Sequence, residues 1–447
     1  MLNQAFSADN FRKILDIENR RGVYLEKRYF TEAALIGEEI KRATAEIRAK
    51  RKELGNPEFL EYRKIKNEEI KLLREKKDQI LNIELEKVSN KVTDEKFQVN
   101  LSLKQIKGKP AYTVNDIPET YFAIKQIQYN FRKLYKVKQA NRNNIICQIR
   151  ELLSDGFPKI IIKTDIESFY ESIEHKKLLN KINSDNLLSY NSKKIIWKIL
   201  NDYKSKSGIS KGVPRGIGIS AYLSELFMRD IDKEIKSINN IIYYARYVDD
   251  IVAIFSPTVK DGAIILDKIK NIIEAGNGLK INEKKTKMYV IDCEAPKKQM
   301  FNYLGYQITF GTGHPTKLEI TESKYNKYKN RIDLTFNAYQ HYSKVNEKKA
   351  RKLLVKRIRF MTSNTRLYNN KKNVLVGIYF TNSLITDCSA LIKIDKYLLS
   401  KINTLNNPSL EIRLKKNSFH KGFIDREFKR FSTVDLSKII SVWKYAL

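Results

Sequence analysis

Apolar positions recur three and four apart from about Thr31 to Lys91, in stretches such as EEIKRATAEIRAKRKEL and NEEIKLLREKKDQILNIELEKV, with Glu, Lys and Arg between them. That period gathers the apolar side chains on one face and predicts two long charged helices, interrupted near Gly55-Asn56-Pro57, where glycine and proline break the pattern. Such a hairpin serves either packing alone or a nucleic-acid or partner surface, and without a sustained heptad it leaves oligomerisation open. The turn-rich AYTVNDIP, Ala111 to Pro118, marks a second boundary, followed by the amphipathic and basic YFAIKQIQYNFRKLYKVKQANRNNIICQIRELL. From about 159 to 310 the period changes. Short β-branched runs (KIIIKTDI, IIYYARYV, DIVAIF, MYVIDC) alternate with helical stretches, the pattern of an α+β domain. Beyond Gly313, Lys-rich segments (KYNKYKNRIDLTFNAYQHY, KARKLLVKRIRFM, ALIKIDKYLLSKI) predict a basic helical C-terminal domain.

Composition sharpens this picture. A chain of 447 residues, 42% apolar and 11% aromatic, is long enough for two or three domains with ordered cores. Its 85 Lys and Arg against 51 Asp and Glu leave a net charge of +34, more than solubility requires, so a polyanion is the expected partner. Nucleic acid fits that description; the alternative is that lysine is simply the default surface residue of this chain. Cys147, Cys293 and Cys388 lie far apart, with neither CxxC spacing nor nearby histidines, which indicates neither a zinc site nor a disulfide framework. The first residues lack a basic-then-apolar signal pattern, and no apolar run approaches the roughly 20 residues needed to span a bilayer. The reading is a soluble cytoplasmic protein with no membrane association.

Three acids carry the chemistry. Asp249 and Asp250 sit between two strand-like runs, Ile241 to Val248 and Ile251 to Phe255, so the pair would occupy the tip of a β-hairpin. An Asp-Asp turn alone is commonly just solvated, since Asp is a favoured turn residue. Asp165 adds a second strand end, after Ile160-Ile161-Ile162 and before Ser168-Phe169-Tyr170. Acids near two strand ends can hold a pair of Mg²⁺ ions. Nucleotidyl transfer uses such a pair, one ion to activate the attacking hydroxyl and one to neutralise the triphosphate and leaving pyrophosphate.

The order of these blocks resembles the palm of reverse transcriptases. Lys163-Thr164-Asp165-Ile166-Glu167-Ser168-Phe169-Tyr170 resembles the family's first acidic block, and Tyr170 falls where the family keeps an aromatic gate against the ribose 2′-hydroxyl. Gly212-Val213-Pro214-Arg215-Gly216-Ile217-Gly218-Ile219-Ser220 is similar to the glycine-rich segment bordering nucleotide and template, where glycine lets the backbone approach a base pair. Arg215 stands where Gln is commonest, Ala221 where Pro is usual and Glu225 where Asn is frequent, departures that bear on template handling. Tyr247-Val248-Asp249-Asp250 matches the YxDD block. Gly278-Leu279-Lys280-Ile281-Asn282 with Lys285-Thr286 resembles the segment whose lysine lies near the triphosphate. Phe301-Asn302-Tyr303-Leu304-Gly305-Tyr306 looks like the primer grip.

The short span between Arg142 and Asp165, with FYESI after the first acid and PRGIGIS in the glycine block, is similar to bacterial defence-associated and abortive-infection reverse transcriptases. The resemblance implies a right-hand polymerase: a helical N-terminal extension over 1–110, reduced fingers and palm over 111–312, and a helical thumb-like domain over 313–447. It implies Mg²⁺, with Mn²⁺ as the alternative, at Asp165, Ile166, Asp249 and Asp250. It implies nucleotide contacts from Tyr170, Arg215, Gly216, Lys138, Arg142 and Lys285, and a primer grip at Tyr303, Leu304 and Gly305. Expected partners are dNTPs, a template or noncoding RNA and its cDNA product, and a companion defence protein or a second copy of the chain. Initiation on RNA, on DNA or on a protein tyrosine stays open. An RNA-directed RNA polymerase shares the palm but usually carries GDD, and here Val248 precedes the pair. A catalytically silent nucleic-acid scaffold is the nonenzyme alternative, and a maturase role lacks a Cys/His endonuclease block.

Overall fold

The computed structural model describes residues 2–106, 108–137, 140–256, 262–275, 277–292, 297–311, 313–367 and 374–443. The chain forms two compact units, one from Met1–Lys138 and Tyr170–Arg229, the other from Gln139–Phe169 and Asp230–Leu447.

The first unit is largely helical. Thr31–Lys50 and Asn56–Thr93 form the predicted charged hairpin, broken where Gly55 caps the second helix and proline occupies its first turn. Only sparse apolar positions are buried along it, Ala33, Ile36 and Ala43 on one helix and Ile70, Leu81, Leu85, Val88 and Val92 on the other. Ala8–Arg20 and Pro118–Leu134 bury Phe11, Ile14, Phe122, Ile127 and Phe131. A hairpin of Leu101–Ile106 and Lys109–Val114 stands where the sequence suggested only a boundary. Its first strand buries Leu101 alone, so alternation never reveals it. Backbone pairing holds it instead, and the Tyr112 N–H donates to the Arg215 carbonyl at 2.6 Å. The helix Tyr190–Ser207 starts at Ser189, whose hydroxyl accepts from the Ser192 N–H, and ends at Gly208 with φ of 71°.

The second unit is built on a four-stranded antiparallel sheet in the spatial order Ile241–Tyr247, Asp250–Phe255, Lys159–Asp165, Lys287–Ile291. The two central strands are almost wholly buried, which explains their continuous apolar runs. A second sheet, Gln299–Tyr303, Tyr306–Gly311 and His314–Ile320, leads into the long helix Glu322–Thr362, kinked at Asn346 with φ of −149° and ψ of 89°. After Gly313 the chain is mostly helical, as its pattern predicts, but His314–Ile320 first adds a strand, and Asn364–Arg366 pairs with Leu375–Gly377. One apolar core joins both sheets to the helices that follow, from Ile161 and Ile254 through Ile308, Phe310 and Leu318 to Leu354, Leu391 and Phe419.

Close packing in that core generates a prediction. A Cβ placed on Gly422, in the helix Phe419–Ile424, would lie 1.7 Å from the Thr362 carbonyl oxygen. Gly422→Ala forces the two helices apart and is expected to lower stability by about 3 kcal/mol, the upper range for overpacking, read as an earlier urea midpoint at unchanged slope.

Candidate active site

Antiparallel register brings the acids together. Asp165 ends one central strand, Asp250 opens its neighbour, and the two are directly paired. Asp249 lies beside them in the two-residue turn Val248-Asp249. Backbone bonds fix the junction: the Ile166 N–H donates to the Asp249 carbonyl at 3.2 Å, the Asn282 N–H to the Asp165 carbonyl at 2.7 Å, and the Glu167 N–H to the Lys280 carbonyl at 2.8 Å. Carboxylate oxygens of Asp165, Asp249 and Asp250 consequently lie within 4.8 Å of one another. Asp165 is only 4% exposed.

Crowding like charges in a half-buried site has a cost, and it falls on Asp250. Burial first, then the neighbouring Asp249 and Asp165, push its carboxyl up to about 6, against the opposing pull of Lys163 and Lys285. Lys285 supplies the nearest relief: its Nζ donates to Asp165 Oδ2 at 2.7 Å, a bond that raises the pKa of the lysine. The donor set is entirely hard oxygen, which suits Mg²⁺ or Mn²⁺ rather than a thiophilic ion. Ile166 follows Asp165 directly and forms an antiparallel bridge with Ile281.

The turn itself is strained. Val248 has φ of 63°, a left-handed conformation that costs a β-branched residue on the order of 1–2 kcal/mol. Arg246, 8% exposed, braces it: Nη1 donates to the Val248 carbonyl at 2.8 Å, while Nε and Nη2 donate to the two oxygens of Asp232 at 2.8 and 2.7 Å. The Tyr244 hydroxyl also donates to Asp232, at 2.7 Å. The sequence reading missed this brace. Its signal was an arginine inside the apolar run IIYYARYV, since a buried charge requires a partner.

Tyr303, Leu304 and Gly305 form the end of the hairpin Gln299–Tyr303/Tyr306–Gly311. Leu304 and Gly305 have φ of 45° and 76°, both positive as a tight two-residue turn of this hand requires. The Tyr303 hydroxyl donates to the Asp250 carbonyl at 3.2 Å, tying the hairpin to the acidic strand. Arg142 lies on this turn. Its Nε donates to the Leu304 carbonyl at 2.6 Å, and its guanidinium sits 4.8 Å from the Tyr306 ring centroid. Lys324 Nζ also sits 4.8 Å from that centroid and donates to Asn382 at 3.0 Å. Burial and the neighbouring Arg142 bring Lys324 down to about 8.

Tyr170, Arg215 and Gly216 belong to the first compact unit. The Tyr170 carbonyl accepts from the Val213 N–H at 2.7 Å, which joins the first acidic block to the glycine-rich loop. Arg215 is exposed, and Gly216 has φ of 108° and leaves no room for a Cβ, which would lie 2.5 Å from the Tyr112 carbonyl oxygen. Lys138 lies outside the described residues.

A family model described as reverse transcriptase (RNA-dependent DNA polymerase) matches residues 76–308, just over half of the chain. The chain belongs to the reverse transcriptase family. The matched range holds the three acids, Lys285 and the Tyr303-Leu304-Gly305 turn, and it starts within the long helix Asn56–Thr93. Solved structures that the chain resembles include an apo telomerase from Candida tropicalis truncated from its C-terminal domain, at 17% identity, a TM-score of 0.37, and coverage of 51% of this chain and 56% of that one. A telomerase from Candida albicans in complex with a TWJ fragment of telomeric RNA gives 14% identity, a TM-score of 0.37, and coverage of 79% of this chain and 65% of that one. The reverse transcriptase chain thus spans less than two thirds of either telomerase. A comparison with curated proteins gave no match.

Two measurements test the site. Arg246→Lys keeps the charge but loses the fork that joins Asp232 to Val248, and is expected to cost about 2 kcal/mol of stability, as for a charge-assisted bond; an unchanged denaturation midpoint would show that the brace does not hold the turn. Asp250 binds its proton more tightly folded than unfolded, so its contribution to stability is complete below the ordinary value of 3.8 and is lost as pH rises through about 6. In chelator, Asp250→Asn is expected to match wild type near the bottom of that window and to exceed it above the top by on the order of 1 kcal/mol. Denaturation at a series of pH values gives the difference, and parallel curves would contradict the assignment.

Proposed function

We propose that this chain adds deoxynucleotides to a 3′ hydroxyl on an RNA template, and that it does so in bacterial antiphage defence with a dedicated noncoding RNA. The observation that carries the polymerase reading is the meeting of Asp165, Asp249 and Asp250 at two adjacent strand ends inside the family-matched range. The defence reading rests on the short Arg142-to-Asp165 span and the FYESI and PRGIGIS segments.

Asp165, Asp249, Asp250 and the Ile166 carbonyl would hold Mg²⁺ or Mn²⁺. Bound there, the ions supply Lewis-acid activation of the 3′ hydroxyl and charge neutralisation of the leaving pyrophosphate. The chain's own groups do the rest. Lys285 is more than half exposed on a flexible stem, so it is able to exchange Asp165 for a triphosphate oxygen. Tyr170 is assigned as the gate against a 2′-hydroxyl, Arg215 and Gly216 as the floor beside the nascent pair, and Lys138 and Arg142 as phosphate contacts. The place of Arg142 on the Leu304 carbonyl supports a contact close to the primer strand held by Tyr303, Leu304 and Gly305. In this scheme residues 1–110 are a helical extension, 111–312 the fingers and palm, and 313–447 the thumb. Partners are template or noncoding RNA, cDNA, dNTPs, and a companion defence protein or second copy. The location is the cytoplasm; among the described residues no helix is long and apolar enough to cross a membrane.

The test is incorporation of labelled dNTPs and NTPs by protein purified with its associated RNA, beside an Asp249→Asn, Asp250→Asn double variant. Wild type is expected to incorporate dNTPs at least a hundredfold faster than NTPs, and the double variant to lose at least a thousandfold. Preferential NTP incorporation would make the chain an RNA polymerase, and equal activity in both proteins would remove the acids from the chemistry. Sequencing the product identifies the template.

A further inference from the structure

The helix Tyr190–Ser207 buries Ile195, Ile196, Ile199, Leu200 and Tyr203 on one face. Its other face carries Tyr190, Lys193, Lys194, Trp197, Asn201 and Lys204, spaced three and four apart and therefore in one stripe. Tyr190 is 75% exposed and Trp197 51%, whereas Trp443, the other tryptophan, is 3% exposed. Two large aromatic rings left open among lysines are not explained by packing. Trp197 lines an open cavity of about 270 Å³ together with the extended segment Gln98-Val99-Asn100 and with Asn201 and Asp202.

The cavity is pre-formed. Lys198 donates to the carbonyls of Glu95 and Phe97, and Asp202 accepts from the Leu101 N–H at 2.7 Å and from Lys206 at 2.9 Å. These bonds pin the segment on both sides of Gln98 and Asn100. Among the described residues, the side-chain amides of Gln98, Asn100 and Asn201 take no protein partner, so a set of donors and acceptors borders an aromatic wall.

We infer that this slot binds an unpaired base of a single-stranded nucleic acid. The base stacks on Trp197 and presents its edge to the amides, the lysine stripe takes the flanking phosphates, and Tyr190 offers a second stacking surface about 10 Å along the helix. The +34 charge of the chain matches such a partner. This site needs no catalysis and no ion, so it stands apart from the polymerase reading.

The experiment titrates the full chain, without dNTPs and with chelator, with fluorescein-labelled single-stranded RNA and DNA oligonucleotides at raised salt, where phosphate attraction is weakened. Anisotropy gives affinity. In parallel, unlabelled oligonucleotides quench tryptophan emission, and subtracting the Trp197→Phe signal from wild type isolates Trp197. Trp197→Ala is expected to weaken binding at least about fivefold, the loss of one stacked base, while Trp197→Phe restores most of it and thermal melts stay unchanged. Quenching by RNA assigns the slot to template or noncoding RNA, and quenching by DNA alone assigns it to product. Unquenched Trp197 emission at saturation with both oligonucleotides, or alanine-variant affinity within twofold of wild type, overturns the inference.

Discussion

Repulsion among Asp165, Asp249 and Asp250 is the constraint around which the second unit is organised. Three carboxylates within 4.8 Å would spread apart on a flexible loop. Here they stay together because two sit on paired strand ends and the third on a turn too short to swing away. Around them the chain places compensations at increasing distance: Lys285 on Asp165, the strained Val248 held by Arg246, and Asp232 neutralising that arginine in turn. Lys285 and Arg246 are each paired with a carboxylate, so the site keeps its shape before any ion arrives. Pre-organisation of this kind places the reorganisation cost in folding rather than in each catalytic cycle.

Much of this was legible in the sequence because it lies in continuous patterns. The Ile160-Ile161-Ile162 and Ile251–Phe255 runs announce buried strands, and an acid at the end of each marks where the sheet meets solvent. Gly55 and Pro57 announce the break between the long helices. What stayed hidden depends on partners distant in the chain. Arg142 and Leu304 have no sequence relation that would predict their hydrogen bond, and Asp232 reads as one more charged residue on the helix Gly218–Lys236 until Arg246 is folded against it. The Leu101–Val114 hairpin and the His314–Ile320 strand escaped notice for another reason: backbone ladders hold them, and the first exposes most of its side chains. Cys147 and Cys388 are free thiols, and Cys293 lies outside the described residues.

The surplus of positive charge is unevenly matched by structure. Several lysines on the helical hairpin pair with glutamates three or four positions away, as Lys41 does with Glu38 and Lys66 with Glu69, while Lys66 also reaches Glu46 on the other helix, contacts that individually contribute little to stability. Lysines such as Lys198 and Lys206 are used differently, as ties from a helix to the carbonyls of an adjoining segment, Glu95 and Phe97 for the first and Leu101 for the second. The composition of the chain therefore conceals two populations of cation, one solvated and one architectural, and only the fold separates them.

The single apolar core that runs from the central strands to Phe419 has a consequence for how such a protein changes over evolutionary time. A segment that shares its interior with its neighbour is inherited with it. Recombination that exchanged the helices after Ile320 for those of a relative would have to supply complementary surfaces for Ile308, Phe310 and Leu318 in the same event. Sequence drift on the two sides of that contact should therefore be correlated, and new activities should arise more readily by extension at the outer helices than by replacement of the inner ones.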